Sequence, residues 1–149
     1  MCVVQEGTIE FLRRQGLSKY IDMMVCGDDP QSMPKPSPHN ALWICEALGV
    51  RPADTIMVGD TPADTLMGQQ AKLGLTVGVL SGVGGVSDLI DADVIVKDVS
   101  DCIDLILPPE DSDEQKVSQL HCLWTKIIKK LNSAFLKTFF NKSQLKMKK

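Results

Sequence analysis

The chain has 149 residues, of which 44% are hydrophobic and 23% are charged. This length and composition are typical of one globular domain with a real core, and they exclude a wholly disordered, collagenous or membrane-embedded protein. The net charge of −3 conceals two segments of opposite sign. All 19 acidic residues lie in 1–114, which carries a formal charge of −12, whereas residues 115–149 hold nine lysines and no acid.

The cysteines and histidines argue against a disulfide framework and a zinc site. Five cysteines is an odd number, no CxxC pair occurs, and His39 and His121 lie far from any cysteine pair. The first residues lack the basic and apolar regions of a signal peptide. No apolar stretch approaches the roughly 20 residues of a membrane helix. We therefore expect an intracellular, cytoplasmic protein, with a mitochondrial location left open.

The first part of the chain reads as two helices separated by a strand and a loop. Apolar spacing predicts a helix over 6–15, closed by Gly16, and a short apolar run predicts a strand over 23–26. A loop with three prolines follows. A second helix then runs to Gly49, with Ser37 as its expected N-cap.

Strands and helices alternate in the next part of the chain. Apolar, β-rich runs predict buried strands over 55–58, 75–80 and 94–96. Helical spacing predicts helices over 61–73, where Gly74 is the expected stop, over 87–90 and over 99–107. This alternation predicts an α/β domain with a parallel sheet over 1–107.

The C-terminal part has a different character. Residues 108–114 have linker composition, and apolar residues recur at helical spacing in 115–149, with lysines largely on the other side. This pattern predicts a basic amphipathic helical tail. Three interpretations stay open: binding to an anionic membrane or a calmodulin-like partner, packing on the sheet, or no selected role.

Two carboxylates mark the segment between the predicted strand at 55–58 and the helix after it. Asp60 would lie at the carboxyl end of a parallel strand, where open α/β sheets bind ligands. Asp64 lies four residues on, on the same side of the helix. Two converging carboxylates suit Mg²⁺. The alternative is that Asp60 caps the helix and Asp64 is a solvated surface acid.

A lysine between two prolines is the second candidate. Pro34 and Pro36 stiffen the backbone around Lys35, so its ammonium group would be held in place to neutralise a phosphate. An ordinary surface lysine is the alternative. The glycine-rich stretch Gly82 to Gly85 hints at a phosphate cradle, but it lacks the established spacings, so a plain turn is the preferred interpretation.

The order of these segments over about 6–107 resembles the haloacid dehalogenase (HAD) superfamily, and it looks most like phosphatases similar to phosphoglycolate phosphatase. The resemblance implies a doubly wound α/β fold and Mg²⁺-dependent hydrolysis of a small phosphorylated substrate. It implies that Lys35 is a catalytic cation that balances charge on the nucleophile and the phosphate. It also implies that Asp60 and Asp64 form the metal site, with Asp64 supporting either the metal or Lys35.

The family's nucleophile motif, D-x-D-x-T/V after the first strand, has no counterpart in place. Asp91 to Val94 has the letters but precedes a strand, and Asp111 to Asp113 lies in the predicted linker. The first Asp of that motif attacks phosphorus and the second acts as acid and base. We therefore expect a HAD-like domain truncated at its N-terminus, like the C-terminal half of such an enzyme, and inactive alone. Asp28 and Asp29 are the first alternative nucleophiles to test.

The missing strand also bears on assembly. In the family's sheet it neighbours the strand before Asp60, so its loss leaves one flank of that strand without a hydrogen-bonding partner. We expect self-association or a partner chain, and no role for nucleic acid. The function alternative to a phosphatase is therefore a non-enzymatic regulatory or interaction fragment that binds a partner subunit or a membrane surface.

Overall fold

The computed structural model of the protein describes residues 5–106. Helices and strands alternate along this part of the chain, and their bounds are α1 Gln5–Arg14, α2 His39–Ala47, β1 Ile56–Gly59, α3 Pro62–Gln70, β2 Leu75–Val79, β3 Val94–Val96 and α4 Cys102–Ile106. Short 3-10 helices lie at Ser18–Tyr20, Pro52–Asp54 and Val99–Asp101. The predicted α/β architecture is confirmed.

The three strands form one parallel sheet in the order β1-β2-β3. Ile56 pairs with Leu75 and Val77 pairs with Val94, so β2 is the central strand. Within the described residues, β1 pairs with β2 alone and is an edge. Val58, on this edge strand, keeps 38% of its surface exposed. The carboxyl ends of β1 and β2 lie side by side, which is where open parallel sheets hold ligands.

Side chains of the sheet alternate between two apolar layers. On one face, Leu75 and Val77 of β2 pack with α4, in the cluster Leu75, Val77, Val79, Cys102 and Leu105. On the other face, Met57 of β1 packs against α2 and α3, in the cluster Ala41, Cys45, Met67, Ala71 and Leu73. A Cβ at Gly68 would overlap Thr76 on β2, so this glycine lets α3 lie directly on the sheet. The sheet is thus covered on both faces.

Helix ends follow the expected chemistry at some positions and not at others. Gly16 has φ +67° and Leu17 N–H bonds the Leu12 carbonyl at 2.8 Å, which confirms Gly16 as the stop after α1. α3 ends earlier than predicted. Lys72 takes the left-handed conformation, with φ 54°, and the helix stops at Gln70 instead of running to Gly74.

Two predicted elements and one predicted cap are wrong. Residues 23–26 are not a strand, because Cys26 N–H bonds Asp29 Oδ2 at 2.7 Å and the backbone enters a turn. Residues 87–90 form turns that bury Leu89 fully. Short apolar runs do not separate strand, helix and turn by periodicity alone. Pro38 holds the N-cap position of α2 predicted for Ser37.

The predicted linker, 108–114, and the predicted basic tail, 115–149, lie outside the described residues, so both stay predictions. Within residues 5–106, none of the helices has the length and apolar character needed to cross a membrane.

Candidate functional site

Asp60 follows β1 directly, at the carboxyl end of the strand, as the sequence predicts. The next residue, Thr61, is extended and forms the N-cap of α3. Pro62 stands at the start of the helix, where its missing N–H costs no hydrogen bond. The strand, the carboxylate and the start of the helix are therefore consecutive, and Asp60 lies at the edge of the sheet formed by the carboxyl ends of the strands.

Asp64 closes the first turn of α3 through a capping box. Its Oδ2 accepts hydrogen bonds from Thr61 Oγ1 at 2.6 Å and from Thr61 N–H at 3.2 Å, and Asp64 N–H bonds Thr61 Oγ1 at 3.4 Å. Asp64 is only 4% exposed. The interpretation of Asp64 as a solvated surface acid is therefore wrong, as is that of Asp60 as the helix cap, because Thr61 holds that position.

Lys35 reaches this buried carboxylate from the proline-rich loop. Its Nζ lies 2.6 Å from Asp64 Oδ1. The lysine side chain is 53% exposed, so the ammonium group is bound on one side and open to solvent on the other. Both oxygens of Asp64 are engaged, one by Lys35 and one by Thr61. Asp64 thus holds a lysine that remains accessible to an anion.

The charge state of Asp64 follows from these contacts. Burial raises the pKa of Asp64, but hydrogen bonds from Lys35 and Thr61 and the charge of Lys35 outweigh burial and leave the pKa below its ordinary value. The carboxylate is ionised at neutral pH, so the pair with Lys35 is an ion pair.

The loop that carries Lys35 is held by a residue that the sequence reasoning missed. Asn40, in the first turn of α2, accepts from Met33 N–H and donates to the Met33 carbonyl, both at 2.9 Å. Ser37 N–H bonds the Pro34 carbonyl at 3.0 Å, which closes a turn around Lys35. An Asn soon after a proline loop is a weak signal, because Asn is common wherever turns meet helices.

Asp60 is held by the loop after β2. Val83 N–H donates to Asp60 Oδ2 at 3.0 Å, and Gly84 N–H donates to the Asp60 carbonyl at 3.0 Å. Among the described residues, Oδ1 of Asp60 has no hydrogen-bond partner. The same residues contain no cluster of three or more His, Cys, Asp or Glu able to hold a metal. Asp60 therefore offers one hard oxygen ligand at the carboxyl end of β1.

The structure thus brings Lys35 and Asp64 into contact and places Asp60 at the start of the same strand-to-helix turn. The two alternative nucleophiles are engaged elsewhere. Asp28 accepts from Gln5 N–H with both oxygens, at 3.0 and 3.1 Å, and Asp29 accepts from Cys26 N–H.

Comparison with known proteins identifies the family of the chain. The family model described as haloacid dehalogenase-like hydrolase matches residues 4–77. The chain is 32% identical over 104 residues to phosphoglycolate phosphatase of Escherichia coli (strain K12), which covers 67% of this chain and 40% of that protein. It is 38% identical over 94 residues to a protein named "Probable phosphatase IndB" of Dickeya dadantii, which covers 62% of this chain and 40% of that protein.

Solved structures show the same fold. The crystal structure of a predicted phosphoglycolate phosphatase from Haemophilus somnus superimposes with a TM-score of 0.63 at 21% identity, covering 70% of this chain and 46% of that one. The chain spans less than half the length of each of these relatives. The sequence match includes the loop of Lys35 and the turn from Asp60 to Asp64. The chain belongs to the haloacid dehalogenase-like hydrolase family.

Proposed function

We propose that this chain forms the phosphate- and Mg²⁺-binding half of a phosphate-ester hydrolase site. Lys35 binds the phosphate, Asp60 holds the metal, and Asp64 positions Lys35. The observation that carries this proposal is the contact of 2.6 Å between Lys35 Nζ and the buried Asp64 carboxylate. The ion pair fixes the lysine at one place while its side chain stays half exposed, which is what a cation that binds phosphate requires.

The donor atoms suit Mg²⁺ at Asp60. Magnesium in proteins is bound through one or two carboxylates and completes its shell with waters and substrate phosphates. Oδ1 of Asp60, which has no hydrogen-bond partner among residues 5–106, supplies one such ligand. Oδ2 of Asp64 accepts two hydrogen bonds from Thr61 and Oδ1 accepts one from Lys35, so we propose that Asp64 acts on the site mainly through Lys35. Bound Mg²⁺ would neutralise charge on the phosphate and polarise its oxygens.

Catalytic turnover needs groups beyond these three residues. Covalent phosphoryl transfer requires a carboxylate aimed in line at phosphorus and an acid that protonates the leaving oxygen. Within residues 5–106, no D-x-D-x-T/V motif follows a strand. The two alternative carboxylates accept hydrogen bonds from backbone amides, Asp28 from Gln5 and Asp29 from Cys26. We propose that the chain on its own binds phosphate but does not hydrolyse its esters.

A turnover assay tests this proposal. The purified 149-residue chain is incubated with Mg²⁺ and either p-nitrophenyl phosphate or phosphoglycolate, and released phosphate is measured. We expect no hydrolysis above background, because losing a nucleophile costs several orders of magnitude in rate. The matched variants Lys35→Ala and Asp60→Asn reveal contaminants. Hydrolysis by the wild-type chain that disappears in both variants would contradict the proposal, and Asp28→Asn and Asp29→Asn would then locate the nucleophile.

The open edge of β1 favours a second candidate, a non-enzymatic interaction fragment. Within the described residues, β1 has an unpaired flank, and such flanks recruit further strands. The occupant we propose is a second copy of this chain. Light scattering would show concentration-dependent association, which Val58→Lys on β1 weakens and Val83→Lys on the exposed loop does not. A clean monomer would remove this candidate. Contact of the 115–149 tail with an anionic membrane stays a separate prediction.

A further inference from the structure

The glycine-rich loop after β2 has no role in the function proposed above. Residues 82–85 follow the central strand and lie against Asp60, at the neighbouring carboxyl end of β1. Two backbone amides of this loop bind Asp60: Val83 N–H binds the side chain and Gly84 N–H binds the carbonyl. The loop therefore donates hydrogen bonds to both the backbone carbonyl and the side-chain carboxylate of Asp60.

The glycines explain why the loop fits so closely. A Cβ built on Gly82 would overlap the carboxylate of Asp60, and one built on Gly84 would overlap the Asp60 carbonyl. Gly85 differs, because its Cβ would meet only Asp88 Oδ2, at an ordinary 3.6 Å. None of these three glycines has the positive φ that would require glycine for its backbone conformation. Gly82 and Gly84 are thus explained by close approach to Asp60.

The geometry points to Gly82–Gly84 as the positioning element for Asp60. Val83 N–H occupies Oδ2 and fixes the rotation of the carboxylate, while Oδ1 remains available as a ligand. Ligating carboxylates are commonly oriented by such outer hydrogen bonds. The hydrogen bond comes from a backbone amide, so the side chain of Val83 is free to face solvent and is 84% exposed. This inference rests on the proposed role of Asp60 as a metal ligand.

The first test needs no metal. Amide hydrogen exchange is measured at Val83 and Gly84 by NMR in the wild-type chain and in Asp60→Ala. We expect exchange at Val83 to accelerate by about tenfold, as for loss of an ordinary hydrogen bond. Exchange at Gly84 is the internal control and stays slow, because its acceptor is the Asp60 backbone carbonyl. Equal exchange of Val83 in the two proteins would overturn the inference.

The second test measures Mg²⁺ affinity by calorimetry. Gly82→Ala should weaken binding by about tenfold or more, as loss of an orienting partner does, whereas the matched Gly85→Ala should change it by less than about twofold. If Gly82→Ala does not fold, replacing the Val83 amide with an ester removes the N–H donor without adding a side-chain atom and should give the same loss. Equal affinities for Gly82→Ala, or the ester variant, and Gly85→Ala would overturn the inference. If Asp60→Asn bound Mg²⁺ as tightly as the wild-type chain, the proposed role of Asp60 as a metal ligand would be refuted. The hydrogen-exchange test of whether Val83 positions Asp60 does not depend on that result.

Discussion

Lys35 Nζ and Asp64 Oδ1 lie 2.6 Å apart although 29 positions separate the two residues in the chain. The two partners differ in burial, because the Lys35 side chain is 53% exposed and that of Asp64 only 6%. Asp64 is bound by Thr61 as well, so the carboxylate is the fixed member of the pair. The contact therefore ties the proline-rich loop to the start of α3 and fixes where the accessible charge of Lys35 lies.

A double-mutant cycle measures the strength of this ion pair. Lys35→Met, Asp64→Asn and the double variant are compared by urea unfolding, and we expect a coupling free energy of about 1 kcal/mol, since one partner is half exposed. The exposed pair Arg14–Glu10 in α1, 2.7 Å apart, is the matched control, with an expected coupling of about 0.3–0.5 kcal/mol. Equal coupling free energies in the two pairs would mean that the Lys35–Asp64 contact is no stronger than an ordinary exposed ion pair.

The same carboxylate makes stability depend on pH in a defined direction. Because the pKa of Asp64 is lowered in the folded state, its ionised form stabilises the fold above the unfolded pKa, and this stabilisation is lost as the pH falls below about 4. Asp64→Asn should therefore lose less stability than wild type between pH 6 and pH 3. Hydrogen bonds from Ser100 lower the pKa of Asp98 as well, so both proteins keep some pH dependence. Parallel stability curves for the two proteins would be the contrary result.

Gly59 lets the start of α3 approach β1. A Cβ at this position would overlap the side chain of Asp64. Gly59→Ala is expected to destabilise the chain by about 1–3 kcal/mol, as overpacking does. At Gly7, in α1, an added Cβ would meet nothing within 4 Å, so Gly7→Ala should stabilise the chain by about 0.5–1 kcal/mol. Urea unfolding measures both changes in the free energy of unfolding. An unchanged free energy of unfolding in Gly59→Ala would mean that Asp64 is not held against β1.

The elements that could be predicted from the sequence are those with a strong local signal. β2 and β3 follow from compact β-rich runs, and the Gly16 stop of α1 follows from glycine chemistry. The prediction of a strand over 23–26 is wrong because the residues of a short apolar run do not indicate whether a neighbouring strand is available to pair with it. Lys72, just after the end of α3, adopts a left-handed conformation. This conformation is intrinsically unfavourable for a lysine, so the sequence does not predict the end of the helix there.

The candidate site divides in the same way. Lys35, Asp60 and Asp64 stand out because charged residues flank prolines or follow a buried strand. The contributions of Asn40 and of the Val83 amide are not predictable in this way, since the first is an ordinary turn residue and the second is a backbone group that leaves no trace in side-chain identity. The glycines at 82 and 84 are the available signal, but their spacing favours the interpretation of a plain turn.

An NMR titration shows whether Lys35 and Asp60 form a phosphate and Mg²⁺ site, as we propose. The wild-type chain receives Mg²⁺ and then inorganic phosphate, alongside Lys35→Ala, Asp60→Asn and the control Asp22→Asn on the exposed surface. We expect Mg²⁺ to shift the amide signals of Asp60, Thr61 and Val83, Asp60→Asn to remove this response, and Lys35→Ala to weaken only the phosphate response. Shifts that spread over the acidic surface and stay unchanged in Asp60→Asn would contradict the proposed site.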